Sequence, residues 1–469
     1  MSIPTNGTTP FSIADSSVIC TDIAICRTRY TIIWSSLVTI LACVWSAVHR
    51  NIAGPAIPGQ SRSRRVLGRV LETIKIVVVA LLVPEWVLAW AVRQFLNARG
   101  LAKELEGTRY SARWGWNERG WVEEELDDEG APRERVDMDI VCSEAGKDTP
   151  SVRPRAEQQA FNRSSLFTDK HAGRLGDKWT NRHGFFIIMG GYHLYNNGKP
   201  RHPLPRTDVV KLVSTGDLVP PTEDEVRGWS QGDALSKTLA VIQTLWFVVQ
   251  CIARHTEGLP ITQLEIMTLA YTTITVAMYA FWWDKPQNVG GPIRVAVLEL
   301  PAQSRAGTVP WYTRIFYGIV GAQDDLLDMR KEPCVPTFYS GGGVPGDDNE
   351  IWADVIALAV AMVFGAVHCA AWNYQFPSRA EELIWRISSV AIVAIPGVML
   401  SLLIALLPAV MDYSDVLQYG IVVPVFFLTG PIYVAARVLL LTLSFATLRS
   451  LPFDAYRAVE WTLLIPHFT

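Results

Sequence analysis

The chain is expected to be an all-α, polytopic membrane helix bundle of about seven transmembrane helices, with two lumenal insertions of mixed or irregular structure. Three observations predict it. Hydrophobic residues fill 49% of the 469 positions and charged residues 19%, below the roughly 25% of an average soluble chain. The mean hydropathy is positive, at +0.19. The apolar residues also fall in blocks of about 20, the length a helix needs to cross a hydrocarbon core of about 30 Å.

Those blocks are 30–48, 70–92, 236–253, 263–283, 353–372, 385–408 and 419–446. The first and fifth are unbroken. The second carries Glu72 and Lys75 in its opening turns and Pro84-Glu85-Trp86 deep inside, and the last holds Pro424 and Gly430-Pro431, which predict tilt or a kink. The domain plan is a lumenal segment 1–29, two membrane helices in 30–92, an insertion 93–235, helices three and four in 236–283, an insertion 284–352, helices five to seven in 353–446, and a cytoplasmic tail 447–469.

Orientation follows from Lys and Arg in short loops. Arg50, Arg62, Arg64, Arg65 and Arg69 lie between the first two spans, and the same side would hold Arg254, Arg379, Arg449 and Arg457. Residues 1–26 and 409–418 hold neither. The N-terminus is therefore expected to be lumenal or extracellular and the C-terminus cytoplasmic, in an endomembrane or the plasma membrane. The sequon Asn6-Gly7-Thr8 and Cys20, Cys26, Cys142 and Cys334 then share a compartment that permits glycosylation and disulfides. Two disulfides fit there in any of three pairings. A net charge of -3 gives no footprint for nucleic acid, leaving the lipid bilayer and an apolar small molecule as expected partners.

In the first insertion the acidic stretch 123–129 sits in a part, 118–160, that reads as disordered. Residues 179–192 read as a short strand or re-entrant piece closed by Gly190-Gly191. His183, His193 and His202 recur at spacings of ten and nine, which match no metal rule, so no metal site is assigned.

Several strings have a family character. They are Ser236-Lys237-x-Leu239-Ala240-x-x-Gln243-x-x-Trp246-Phe247-x-x-Gln250-Cys251-x-Ala253-Arg254, Tyr279-x-x-Trp282-Trp283-x-Lys285-Pro286, His183-Gly184-Phe185-Phe186 with Met189-Gly190-Gly191, and His368-Cys369-x-x-Trp372. In these the chain resembles a group of uncharacterised multi-pass membrane proteins of filamentous fungi. The resemblance covers most of the sequence outside the acidic insertion. It implies a fungal source and a membrane setting, and no activity.

Chemistry is sought in polar residues placed where lipid is expected, because an ionisable group there usually faces the bundle interior with a partner or a task. Glu85 is the first candidate catalytic residue, with Arg437 and Lys75 as available cations. It is read either as a structural ion pair or as an acid in a proton relay. His368 is the second, against a reading as a satisfied polar residue between helices. Gln243, Gln250 and Arg254, at spacings of seven and four, form one polar helical face beside Trp246, and with Arg437 they would line a ligand site or pathway. Lys237 and Arg254 also fit snorkelling to the two interfaces, and Glu265 fits a helix N-terminus.

Asp324-Asp325-Leu326-Leu327-Asp328 spells an aspartate-rich pattern that holds Mg2+ diphosphate in soluble terpene synthases, though Arg330 and Lys331 could simply neutralise it. No other cofactor is evident. Trp282, Trp283, Trp352, Trp372, Trp385 and Trp461 near helix ends match an interfacial belt, whereas Trp246 and Trp86 would line a cavity. The functional expectation is a membrane-embedded enzyme acting on an apolar lipid or isoprenoid-like molecule. A channel or transporter using the same polar residues is the alternative, and a seven-span receptor the third.

Overall fold

A computed structural model of the chain describes residues 26–55, 61–117, 178–196, 198–230, 233–296, 324, 327–342, 349–411, 421 and 423–459. The sequon at Asn6, Cys20, Cys142, the acidic part 118–160, Asp325, the loop 412–420 and Trp461 lie outside the described residues.

The described residues form eleven α-helices and three short strands in the order α1 (Arg29–Ala47), α2 (Arg62–Leu82), α3 (Pro84–Asn117), α4 (Asn181–Ile188), β1 (Tyr192–Asn196), β2 (Lys199–Pro203), α5 (Arg206–Ser214), α6 (Glu223–Trp229), α7 (Asp233–Thr256), α8 (Gln263–Trp282), β3 (Ile293–Ala296), α9 (Asn349–Cys369), α10 (Arg379–Met411) and α11 (Val423–Ala446). Two 3-10 turns, Thr447–Ser450 and Phe453–Tyr456, close the described chain. Among the described residues, five helices are long and apolar enough to cross a membrane: Arg29–Ala47, Gln263–Trp282, Ile351–Cys369, Arg379–Leu406 and Pro424–Ser450.

Two of the seven expected spans differ. The block 236–253 forms α7, which carries an outward apolar face of Leu239, Ile242, Leu245, Val249 and Ile252 and is not among these five. The block 70–92 is not one helix. It breaks at Val83, which has φ -140° and ψ 62°, and α3 restarts with Pro84 in its first position. Proline tolerates that position because its missing N–H would be unpaired there anyway. Its ring also pushes the preceding residue out of the helical region, most strongly when that residue carries a Cβ. The effect is not absolute: α11 continues through Gly430-Pro431, and α10 continues through Ile395-Pro396.

The break turns the chain back on itself. Near one end of the bundle, Thr337 donates to Glu72 of α2 at 2.9 Å, Lys75 stands 5.7 Å from the Phe338 ring, and Trp86 and Trp90 of α3 meet the same ring edge-on at 4.5 and 5.2 Å. At the other extreme of the hairpin, Leu81 and Leu82 reach Tyr271 and Arg437, halfway along α8 and α11. Both arms therefore grip loop 336–340, and the tip enters the bundle by about seven residues, roughly 10 Å at 1.5 Å per residue.

The helices define two ends. At the terminal end, the Arg27 amide donates to the Tyr456 carbonyl at 2.7 Å, Arg254 reaches the 454–457 carbonyls, and Arg449 pairs with Glu381. At the domain end, Lys285 donates to the His49 carbonyl and to Asn51, whose amide donates to the Pro336 carbonyl of loop 336–342. The start of α1 and the segment after α11 are thus hydrogen-bonded neighbours at one end of the helices, whereas the sequence reading places the segments 1–29 and 447–469 on opposite sides of a membrane. The described parts of both insertions likewise pack at the domain end, not beside the N-terminal segment.

That domain is built on the outer half of α3. A three-stranded sheet of order β2-β1-β3, with β1 parallel to β3, and helices α4 to α6 surround it, so the structure is mostly helical but not all-α. Residues 181–188, expected as a strand or re-entrant piece, are helical. Thr180 and His183 form a reciprocal capping box at the start, and the predicted glycine turn follows, with Gly190 at φ +93°. Gly184 lies so close to α3 that a Cβ there would sit 2.1 Å from the Ala98 carbonyl oxygen.

The tryptophans also redistribute. Trp282 and Trp385 are fully buried rather than interfacial, whereas Trp246 is half exposed on the outer face and lines no cavity with Trp86, which packs on Phe338. Cys26 is disulfide-bonded to a cysteine outside the described residues, but Cys334 is a free thiol, so the four-cysteine set is not the one expected.

Candidate functional site

The α2–α3 break frees carbonyls at Leu81 and Leu82 inside the bundle, where an unmet backbone acceptor costs as much as a lost hydrogen bond. Arg437 of α11 answers them. Its guanidinium donates to Leu81 at 3.1 Å, to Leu82 at 3.3 Å and to the Tyr271 hydroxyl at 3.1 Å, while lying 4.0 Å from the centre of the Phe364 ring. Tyr271 in turn donates to Leu81.

Glu85, one turn past the break, points into the same interior beside Tyr433, and its Oε2 is buried with no hydrogen-bond partner among the described residues. Arg437 is its nearest strong charge, yet no ion pair closes between them. Lys75, the other expected cation, pairs with Glu72 at 3.9 Å at the hairpin mouth. The Glu85–Arg437 juxtaposition read from the sequence is thus present, but as a shared interior and not as a salt bridge.

His368 is buried one helix away. Its Nδ1 lies 3.0 Å from the Phe364 carbonyl and its Nε2 3.3 Å from the Met267 sulfur, and its ring packs against Phe364 and Trp385. Both ring nitrogens are therefore engaged locally, and Glu85 and His368 form no acid–base pair.

The polar face of α7 splits between tasks. Gln243 donates to Thr39 of α1 at 3.1 Å, fixing two helices together. Arg254, 2% exposed, donates to the carbonyls of Pro260 at 2.8 Å and Arg457 at 2.7 Å. Gln250 and Arg254 line a cleft of about 200 Å3 at the terminal end. Lys237 donates to the Trp283 carbonyl at 3.4 Å. Glu265 caps α8 as expected, accepting from the Thr262 amide at 2.8 Å, and also pairs with Arg27.

A second interior cluster, which sequence reasoning missed, is centred on Lys285. This lysine is 1% exposed, and its ammonium sits 4.7 Å from the centres of both Trp90 and Trp282. It donates to the His49 carbonyl, to Gln94 Oε1 at 2.7 Å and to Asn51 Oδ1 at 3.4 Å. Gln94 is the hub: its oxygen also accepts from Trp282 Nε1 at 3.0 Å, and its nitrogen donates to Asn51 and to the Tyr339 carbonyl. Burial holds the Lys285 amine well below the usual lysine range. Burial, then the Lys237 charge, holds His49 well below the usual histidine range. His49 Nδ1 lies 2.8 Å from the Ala47 carbonyl and must carry the hydrogen, leaving Nε2 a buried lone pair without a partner among the described residues. The sequence signal was Trp282-Trp283-x-Lys285-Pro286, quoted for its family character alone.

The aspartate-rich string does not assemble as a metal site among the described residues. Asp324 Oδ2 accepts from the Ser340 amide at 2.9 Å, the Ser340 hydroxyl at 2.5 Å and the Gly342 amide at 3.2 Å, while Asp328 pairs with Lys331 at 3.3 Å. The two carboxylates serve different neighbours. His183 is committed as well, capping α4 through Nδ1 and meeting the Pro221 carbonyl through Nε2 at 2.7 Å.

A family model described as a family of unknown function (DUF8562) matches residues 9–129 and 149–303, more than half of the chain. The match includes Glu85, the α7 face and the Lys285 cluster, and stops short of His368 and Arg437. No curated protein and no solved structure matches.

Proposed function

The chain belongs to a family of unknown function (DUF8562), which hands down no activity, and we propose from the geometry that it is an integral membrane transport protein whose Glu85 takes up and releases a proton. The observation that carries this reading is the buried Oε2 of Glu85, without a hydrogen-bond partner among the described residues, at the tip of a helical hairpin whose carbonyls engage Arg437 through Nε and one terminal nitrogen, its other terminal nitrogen forming no hydrogen bond among the described residues. A broken helix ending inside a bundle is tolerated at membrane depth where protein or water meets its backbone groups. A carboxyl there, lacking a bonded cation, is suited to exchange a proton when water reaches it. An enzyme acting on an apolar lipid has less support, since Glu85 and His368 do not converge and the Gln250 cleft opens at the end opposite the α/β domain.

In this reading α1, α7, α8, α9, α10 and α11 cross the bilayer and α2–α3 is re-entrant. The outward apolar residues, such as Leu428, Ile387 and Val276, face lipid. The disulfide at Cys26 supports an oxidising compartment at the terminal end, and free Cys334 with the basic run 62–69 supports the cytosol for the α/β domain. Tags placed on the two termini are expected to be accessible from the same side of sealed vesicles. Access from opposite sides would rule out six crossings.

The proton role is tested in proteoliposomes holding a trapped pH dye, with a potassium gradient and valinomycin setting the potential. Wild type is expected to acidify the interior faster than protein-free vesicles, Glu85→Asp to keep part of that rate, and Glu85→Gln to fall to the protein-free level while eluting as a monodisperse species. A Glu85→Gln rate equal to wild type, or a wild-type rate equal to empty vesicles, would reject it.

A further inference from the structure

The cleft at the terminal end lies between the first turns of α1 and the last turns of α7, and its lining is mixed: Arg27, Arg254, Gln250, Thr31 and Ser35 supply polar groups, and Ile32 an apolar wall. Arg27 is neutralised by Glu265, to which it bonds through both terminal nitrogens. Arg254 is different. Among the described residues its hydrogen bonds go to backbone carbonyls, which satisfy donors without cancelling a charge. Two guanidiniums thus share Glu265 as their one hydrogen-bonded carboxylate among the described residues, with the Glu257 charge also acting on Arg254, beside a space large enough for several heavy atoms. The Thr31 and Ser35 hydroxyls, each now donating within its own helical turn, border the same space with the Gln250 amide.

From this we infer that the cleft binds a phosphate-bearing anion, presented by a lipid headgroup or free in solution. Several acceptor oxygens on one centre match arginine and amide donors arrayed around one space. The place suits a headgroup: Tyr30 and Trp34 stack 6.1 Å apart on the exposed face of α1 at the same level, as rings do at the bilayer interface. A basic pocket between membrane helices is a recurrent anionic-lipid site. The inference shares no residue with Glu85 and survives or fails apart from the transport reading.

The test uses full-length protein in mild detergent, titrated by native mass spectrometry with dioctanoyl phosphatidic acid, dioctanoyl phosphatidylcholine and inorganic phosphate. Gln250→Leu and Ser35→Leu fill the cleft without touching either arginine, and each is checked by elution profile and unfolding midpoint. Phosphatidic acid is expected to bind wild type at least about tenfold more tightly than phosphatidylcholine, and each filled variant to lose about tenfold, as for one charge-assisted contact. Equal binding of inorganic phosphate, lost in the same variants, would keep the site and make its ligand a free anion. Phosphatidic acid binding no tighter than phosphatidylcholine, with no phosphate adduct, or binding undiminished in both correctly folded variants, would overturn the inference.

Discussion

Gly184→Ala is expected to destabilise the α/β domain by about 3 kcal/mol or more, the upper part of the range for forcing a methyl into a filled interior. The added Cβ would stand 2.1 Å from the Ala98 oxygen, 2.8 Å from its carbon and 3.0 Å from its Cα. All three are backbone atoms of α3, a helix that cannot yield locally, because Val87, Leu88, Ala91, Val92, Leu101 and Leu105 along its length are buried against other elements. The relief available is to separate α4 from α3, which uncovers Phe185 and Phe186, each 1% exposed. Gly107→Ala supplies the control. It lies on the same helix with nothing within 4 Å of the new Cβ, so the helix preference for alanine over glycine is expected to stabilise by about 0.5–1 kcal/mol. Unfolding in a detergent-based denaturant series, followed by tryptophan fluorescence, measures both. Equal midpoints for the two variants would show that the α3–α4 contact is not set by backbone approach.

Much of this fold was written in hydropathy, and the failures have local causes. Five of the seven apolar blocks became helices of membrane-crossing length because a window of about 20 residues detects length and apolarity together. The same window is blind to direction, so 70–92 read as one crossing although the chain reverses inside it. The signal lay in Val83-Pro84, where a proline disfavours the helical region for the β-branched residue before it; Ile395-Pro396 has the same pattern and α10 runs through it, so the dipeptide alone does not place a break.

The site was legible to the extent that charge in an apolar block is conspicuous, which singled out Glu85, Arg437 and His368. What each charge touches was not. Arg437 bonds to carbonyls that exist as free acceptors only because the helix breaks at Val83, a consequence of conformation and not of composition. Lys285 was passed over because a lysine just beyond a span ordinarily reaches water. Here α8 ends in Trp282, whose indole together with Trp90 closes over the ammonium, and Gln94 reaches across from α3 to accept a hydrogen bond from it.

Lys285→Ala is accordingly expected to cost about 3 kcal/mol or more, from the cavity between two indoles and from the His49 carbonyl left without a donor. Gln94 Oε1 keeps Trp282 as a partner and Asn51 Oδ1 keeps Gln94, so the network thins without collapsing. Removing a desolvated ammonium also returns some stability, and Lys285→Met separates the two effects because it restores most of the volume without the charge. The charge shows in the pH dependence. The native amine has its affinity for protons depressed below the ordinary value of 10.5, so above the native value the unfolded chain binds a proton that the folded chain does not. Wild-type stability is therefore expected to rise with pH from the native value up to about 10.5. In Lys285→Met that contribution to the slope disappears. Denaturation midpoints of both proteins from about pH 7 to about pH 10 measure the difference. Parallel curves would mean that the amine exchanges its proton with solvent as freely in the native state as in the unfolded one, and the closed cage around it would then have to be abandoned.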